Sequence, residues 1–256
     1  MNIDKIYVIN LKKNTERKEN VINLFNKLGG IFNNYVFYEA IIGNELSESQ
    51  IYEIMSVKSL YTLYKKFTDH SDIRTKGAIG CYLSHYNIWV DVIKNNYKNV
   101  LIFEDDIYSD YDYDKILSYI NNVPQDYDIA LLGYICFFFS LDKRKYEINN
   151  YWNSTNSLRI MGMHSYLLSN SGAIKLSKKA FPIEMQVDAY INYICNINPN
   201  IKRYISKKNI FLQNILTYST DIQNFCTVCW YTDFAYFIYN NIFVLIALFL
   251  LITLIK

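Results

Sequence analysis

The stretch Asn99-Val-Leu-Ile-Phe103-Glu104-Asp105-Asp106 decides the fold. Its first half is a short apolar run, suited to a strand buried on both faces. It stops abruptly at three adjacent carboxylates. Just upstream, Ala78 to Asn96 carries Ile79, Leu83, Ile88, Trp89 and Val92 at helical spacing, and Asn95-Asn96 close it. The same alternation extends toward both termini. Lys5 to Leu11 reads as a buried strand, followed by a helix that starts at Asn14 or Thr15 with Glu16 and Glu19 in its first turn. That helix places Val21, Leu24, Phe25 and Leu28 on one face and ends at Gly29-Gly30. Tyr35 to Tyr38, Ile129 to Leu132 and Ser165 to Leu168 read as strands, Ser47 to Tyr64 and Ser171 to Lys179 as helices, and Thr68 to Lys76 as a loop. Strands alternating with helices predict an α/β fold with a mostly parallel sheet.

The chain has 256 residues, of which 51% are hydrophobic, enough for a sizeable core. Its formal charge of +2 offers no electrostatic footprint for nucleic acid. The 25 tyrosines accompany abundant Asn, Ile and Lys, all with AT-rich codons, so the bias reads as genome composition rather than a tyrosine-based function. Five scattered cysteines make no disulfide framework. Cys226-x-x-Cys229 lacks a second close pair, and His70, His85 and His164 lie far from it in sequence, so it reads as structural or incidental. Asp4 and a short apolar run make the first residues unlike a signal peptide.

In open α/β sheets, ligands bind beyond the carboxyl ends of the strands. Glu104, Asp105 and Asp106 sit at such an end. Three neighbouring carboxylates repel one another, and a hard divalent cation converts that repulsion into binding. In extended backbone Glu104 and Asp106 point the same way. A solvated acidic turn is the alternative. Cys81 and His85 share a helix face but, without further ligands, do not make a zinc site.

Taken together, Lys76-Gly-Ala-Ile-Gly-Cys-Tyr-Leu-Ser-His85 and Phe103-Glu-Asp-Asp106 resemble glycosyltransferase family 25, the lipooligosaccharide-biosynthesis and collagen-galactosyltransferase group. Tyr7-Val-Ile-Asn-Leu11 with Arg17 and Lys18, Ala40-Ile-Ile-Gly43, and Gly162-Met-His-Ser-Tyr-Leu-Leu-Ser169 with Gly172-Ala173 are similar to family segments. So are Pro182-Ile183 with Val187-Asp188, and Gln213 with Ser219-Thr-Asp221. The resemblance runs from about Ile3 to Ile222. Ala78 departs from it, standing where many members carry Glu.

The resemblance implies a GT-A fold and inverting transfer of galactose or glucose from a UDP-sugar to a glycan or glycoprotein acceptor. It places Glu104 and Asp106 at a divalent-metal motif for Mn²⁺ or Mg²⁺, with Asp105 beside them. Asn10 and Leu11 would line the nucleoside end, and Arg17 would face the diphosphate. Ser84 and His85 would reach the donor pocket from their helix, with a satisfied core histidine as the alternative for His85 and for His164. Asp188 is the candidate general base, because inversion needs a carboxylate to take the acceptor hydroxyl's proton. A helix-capping role is its alternative, and Asp221 is a lesser candidate. Two other readings compete: an inactive, membrane-anchored relative that binds sugar nucleotides, and a metal-dependent phosphodiesterase, which should show a basic groove.

The sequence changes character after residue 225. Phe234 to Ile255 contains no charged residue, and 22 residues in a helix span about 33 Å, enough to cross a bilayer core. Trp230, Tyr231, Tyr236 and Tyr239 suit an interfacial belt. The expectation is a catalytic domain over residues 1–225, on the cytosolic side, and a C-terminal membrane anchor over residues 234–255.

Overall fold

Successive residues of the central strands go to opposite hydrophobic layers. Val100 and Ile102 join one buried cluster, and Leu101 and Phe103 join the other. Tyr7 and Ile9 likewise part from Ile6 and Val8. Because both faces are covered, these strands are apolar throughout rather than alternating with polar residues. The structure, a computed structural model, describes residues 1–64, 71–136, 146–155, 160–214, 217, 218 and 222.

The elements, in chain order, are β1 (Lys5–Asn10), α1 (Thr15–Leu28), β2 (Val36–Glu39), α2 (Glu48–Ile54), α3 (Val57–Leu63), α4 (Lys76–Lys94), β3 (Asn99–Glu104) and β4 (Ile107–Tyr108). They continue with α5 (Tyr113–Asn121), β5 (Ile129–Cys136), β6 (Trp152–Ser154), β7 (Ile160–Ser169), α6 (Asn170–Ser177), α7 (Val187–Ile197), β8 (Arg203–Ser206) and β9 (Leu212–Gln213). Seven strands form one sheet in the order β2-β1-β3-β7-β5-β8-β6, and β4 pairs with β9 in a separate ribbon. Strands β2, β1, β3, β5 and β8 run one way, while β7 and β6 run against them. The sheet is therefore mixed, with the parallel direction dominant. Helices α2, α4, α6 and α7 contribute to the cluster on one face, and α1 and α5 to the cluster on the other.

Four expectations need correction. The helix expected over Ser47 to Tyr64 is two helices. Met55 is extended and bridges Ile183, and Ser56 caps α3 by accepting from the Ser59 amide at 3.2 Å. Helix α4 begins at Lys76, because the Thr75 hydroxyl accepts from the Ala78 amide at 3.1 Å. Helix α6 starts earlier than Ser171, with Ser169 Oγ accepting from Gly172 N at 3.0 Å. Strand β7 extends well before Ser165, since Ile160 and Met161 pair with Cys136 and Ile135. The tail over residues 234–255, Asp221, His70 and the Cys226–Cys229 pair lie outside the described residues. Among the described residues, no helix is long and apolar enough to cross a membrane.

Two glycines bring the start of α4 against the turn after β2. A Cβ on Gly43 would stand 1.6 Å from the Lys76 carbonyl oxygen, and one on Gly80 would stand 2.3 Å from that of Ile41. Backbone-to-backbone packing of this kind excludes any side chain. It fixes α4 over the carboxyl ends of β1 and β3.

Candidate active site

Strands β1 and β3 run in parallel register, with Ile9 opposite Glu104, so both end at the same edge. A cavity of about 620 Å³ opens there. Its walls come from the ends of β1 and β3, the Ala40–Asn44 turn, the first turns of α4, the Met161–Met163 part of β7, the start of α7, and Gln213 and Tyr218. This is the position at which α/β sheets bind ligands.

The three carboxylates have three different environments. Glu104 Oε2 accepts from Gln213 Nε2 at 3.1 Å, and Oε1 lies 3.5 Å from His85 Nε2. Asp106 meets the same amide nitrogen at 3.4 and 3.5 Å. Glu104 and Asp106 thus converge on one donor, though not through the extended backbone expected from the sequence: β3 ends at Glu104, and Asp105 and Asp106 form the turn that leads into β4. Asp105 points the other way. It accepts from Asn10 Nδ2 at 2.7 Å and pairs with Arg17 at 3.1 Å. The Arg17 guanidinium also lies over the Tyr218 ring, 5.3 Å from its centroid.

Their electrostatics follow from this placement. Burial alone would raise the pKa of Glu104, but neighbouring His85, aided by His164 and Arg17, holds it below the ordinary value. Burial and then the charges of Glu104 and Asp105 push Asp106 up to about 7. Asp105 is raised by burial despite Asn10 and Arg17. A neutral Asp106 beside an ionised Glu104 is the usual outcome when like charges share a small space.

Asp188, in the first turn of α7, lines the same cavity. Gln186 holds the N-cap position without a side-chain cap bond, and Asp188, two residues on, accepts from a first-turn amide, so the helix-terminus role expected as its alternative is also present. Its Oδ2 accepts from Gly162 N at 3.1 Å and its Oδ1 from Ala189 N at 2.7 Å, which ties α7 to β7. Burial raises its pKa and the charge of Glu104 adds to that, while the Gly162 and Ala189 amides and its own backbone amide oppose it.

The remaining sequence-predicted residues divide between lining and support. Leu11 and Arg17 line the cavity. Asn10 is not among its lining residues; it is buried behind Asp105 and also donates to the Asn14 carbonyl at 3.2 Å. Ser84 reaches the cavity, but its hydroxyl is engaged, donating to Gly80 O at 2.7 Å and accepting from Ile41 N at 2.9 Å. His85 is fully buried, its Nδ1 bonded at 2.9 Å to the Tyr166 hydroxyl, which also accepts from Trp89 Nε1 at 3.1 Å. His164 is buried against the Phe211 carbonyl at 3.0 Å and is not among the lining residues.

Gln213 and Cys81 are both legible in the sequence, Gln213 in a family-like segment and Cys81 beside His85, but neither receives a role at the site there. Gln213 arrives through the two-residue ribbon that pairs it with Ile107, immediately after Asp106. Cys81 offers its sulfur beside His85 and Glu104, with one ligand atom from each lying within 4.8 Å of the others. The shared helix face of Cys81 and His85 was a usable signal for that grouping. The family resemblance alone marks Gln213, and no local pattern does.

The model for glycosyltransferase family 25 (LPS biosynthesis protein) matches residues 3–191, which include every wall of the cavity except Gln213, Tyr218 and Ile222. The chain belongs to glycosyltransferase family 25. It is 32% identical over 205 residues to a glycosyltransferase 25 family member of Drosophila melanogaster, covering 78% of this chain and 32% of that protein. It is 30% identical over 137 residues to procollagen galactosyltransferase 1-A of Xenopus laevis, covering 52% of this chain and 21% of that protein. The chain thus spans about a third or less of these family 25 relatives. Among solved structures, mouse xyloside xylosyltransferase 1 aligns with a TM-score of 0.40 and 8% identity over 77% of this chain and 82% of that one.

The cavity residues fit a divalent cation. Glu104 and Asp106 offer carboxylate oxygens of the kind Mg²⁺ and Mn²⁺ prefer. The Gln213 amide, lodged between two carboxylates that crowd each other, marks where positive charge is wanted.

Proposed function

We propose that this family 25 chain is an inverting hexosyltransferase of GT-A type. It moves galactose or glucose from a UDP-sugar to a glycan or glycoprotein acceptor and depends on Mn²⁺ or Mg²⁺. The observation that carries this reading is the convergence of Glu104 and Asp106 on one point of the cavity wall, with Asp188 lining the same cavity. The galactosyltransferase name of the Xenopus relative supports a hexose donor.

Each residue has a task in that reaction. Glu104 and Asp106 would hold the cation, which supplies charge neutralisation to the departing diphosphate. Arg17, fixed by Asp105 and Tyr218, adds a second positive charge on the same side. Leu11 and the Ala40–Gly43 turn give the nucleoside an apolar wall. Asp188 takes the acceptor hydroxyl's proton as that oxygen attacks the anomeric carbon from the face opposite the diphosphate. A raised pKa makes it a stronger base than a free aspartate. The Gly162 and Ala189 amides hold its carboxylate in place.

A donor screen that scores UDP release and sugar transfer, run with Mn²⁺ and with chelator, tests the reading. Metal-dependent release from UDP-galactose or UDP-glucose is expected. UDP affinity that is equal in both conditions would remove the metal role. Metal-dependent UDP binding without turnover on any acceptor would instead make the chain an inactive sugar-nucleotide-binding relative.

A further inference from the structure

We infer that the inner wall of the cavity holds a second metal site, built from Cys81, His85 and Glu104, which takes a borderline-soft cation such as Zn²⁺ or Co²⁺. It differs in chemistry from the all-oxygen pair Glu104 and Asp106. Cys81 and His85 stand one turn apart on α4, so their side chains share a face, and Glu104 meets them from the end of β3. The three ligand atoms lie within 4.8 Å of one another. Tetrahedral zinc with bonds of about 2.0–2.3 Å places its ligand atoms roughly 3.3–3.6 Å apart, so small side-chain rotations close the set. The His85–Glu104 edge, at 3.5 Å, is already at that length.

The histidine supplies independent support. His85 is fully buried, and its Nε2 has no hydrogen-bond partner although it faces a carboxylate oxygen at 3.5 Å. The 3.5 Å contact with Glu104 leaves this buried nitrogen short of a hydrogen bond, a cost that a bound cation removes. The other ring nitrogen is held by the Tyr166 hydroxyl, itself fixed by Trp89. Metal-ligating histidines commonly have their second nitrogen anchored in this way. Sulfur and imidazole donors select Zn²⁺ and Co²⁺ over Mg²⁺ and Mn²⁺. Loading the ion sends the Cys81 thiol proton to solvent and leaves the ring proton of His85 on Nδ1, donated to Tyr166. The cavity provides the open fourth position.

The two sites abut on opposite oxygens of one side chain. Glu104 turns Oε1 toward His85 and Oε2 toward Gln213 and Asp106. A cation on the soft side therefore draws charge from the hard side, and Zn²⁺ should inhibit Mn²⁺-dependent turnover. That consequence rests on the function proposed above; the binding does not.

Cobalt titration of the full chain carrying Cys226→Ser and Cys229→Ser tests the site, because it removes the one close cysteine pair in the sequence. A thiolate-to-cobalt charge-transfer band is expected, displaced by Zn²⁺, lost in Cys81→Ser and kept in Asp106→Asn. His85→Gln should abolish the intense visible bands of tetrahedral cobalt, with circular dichroism confirming the fold; Cys81→Ala replaces the serine variant if that one unfolds. A band that is absent, that survives loss of the Cys81 sulfur, or that disappears with Asp106→Asn overturns the assignment. If the band behaves as expected but Zn²⁺ leaves UDP release unchanged, the site stands and its coupling to turnover fails.

Discussion

Asp106→Asn separates the electrostatic role of this carboxylate from its packing. In the metal-free protein Asp106 titrates at about 7 rather than at 3.8 because burial, Glu104 and Asp105 disfavour its charge. An acid whose pKa is raised by folding binds its proton more tightly in the native state. Its contribution is therefore fully present below the unfolded value and is lost as pH rises through the folded one. Each pH unit of that interval is worth about 1.4 kcal/mol, so the total loss is about 4 kcal/mol. Roughly 2.5 kcal/mol of it should fall between about pH 5 and about pH 8. Asparagine keeps the size and still accepts from Gln213, but it cannot ionise. Urea denaturation in chelator, followed by fluorescence of buried Trp89 and Trp152, measures the difference. Wild type should lose stability relative to the variant as pH rises, and Mn²⁺ should restore wild type at the high end while leaving the variant unmoved. The difference between the two proteins therefore reads Asp106 together with its coupling to Glu104 and Asp105, whose charges it faces. Parallel pH curves for the two proteins would refute the reasoning, and a variant that Mn²⁺ stabilises as well as wild type would remove Asp106 from the cation site.

Three further outcomes are expected. Asp188→Asn should lower the maximal rate of transfer by at least about tenfold with metal-dependent UDP affinity nearly intact, since a general base acts on the acceptor rather than on the donor; a lost affinity at unchanged rate, read by calorimetry and steady-state kinetics, would make it a donor-binding group. Gly80→Ala forces a methyl group to within 2.3 Å of the Ile41 carbonyl and should destabilise the fold by about 1–3 kcal/mol in chemical denaturation, with Ala40–Gly43 displaced and donor affinity reduced; wild-type stability would mean that the contact yields without strain. We also propose that residues 234–255 anchor the chain to a membrane from the cytosolic side, so the full chain should stay in the pellet after alkaline carbonate and a chain ending before Phe234 should be soluble and still active; extraction of the full chain, or misfolding of the shorter one, would place the tail in the core.

What the sequence disclosed, and what it hid, follows from the range over which each feature is determined. Strands β1 and β3 and helices α1 and α4 are legible because burial on both sheet faces, or on one helix stripe, leaves a local periodicity. The acidic triplet is legible for the same reason, since the strand before it is unmistakable and its end has a known meaning in α/β sheets. The break between α2 and α3 has a local mark in Ser56, but its cause is the bridge from Met55 to Ile183, which no local window contains. Helix α5 carries a readable start, Asp112 accepting from Lys115 N at 2.8 Å, that the pattern of strands and helices did not use. The site is harder still. Residue spacing put Glu104 and Asp106 on one side of the chain, but it could not assign Asp105 to Asn10 and Arg17, because that pairing needs α1 laid beside β3. Gln213 is brought to the carboxylates by a ribbon of two residues per strand, too short to have any pattern of its own. Cys81 and His85 were visible as neighbours on α4 and set aside for want of a third ligand. Parallel pairing of β3 beside β1, under a helix seated by Gly43 and Gly80, is what supplies Glu104 as that ligand.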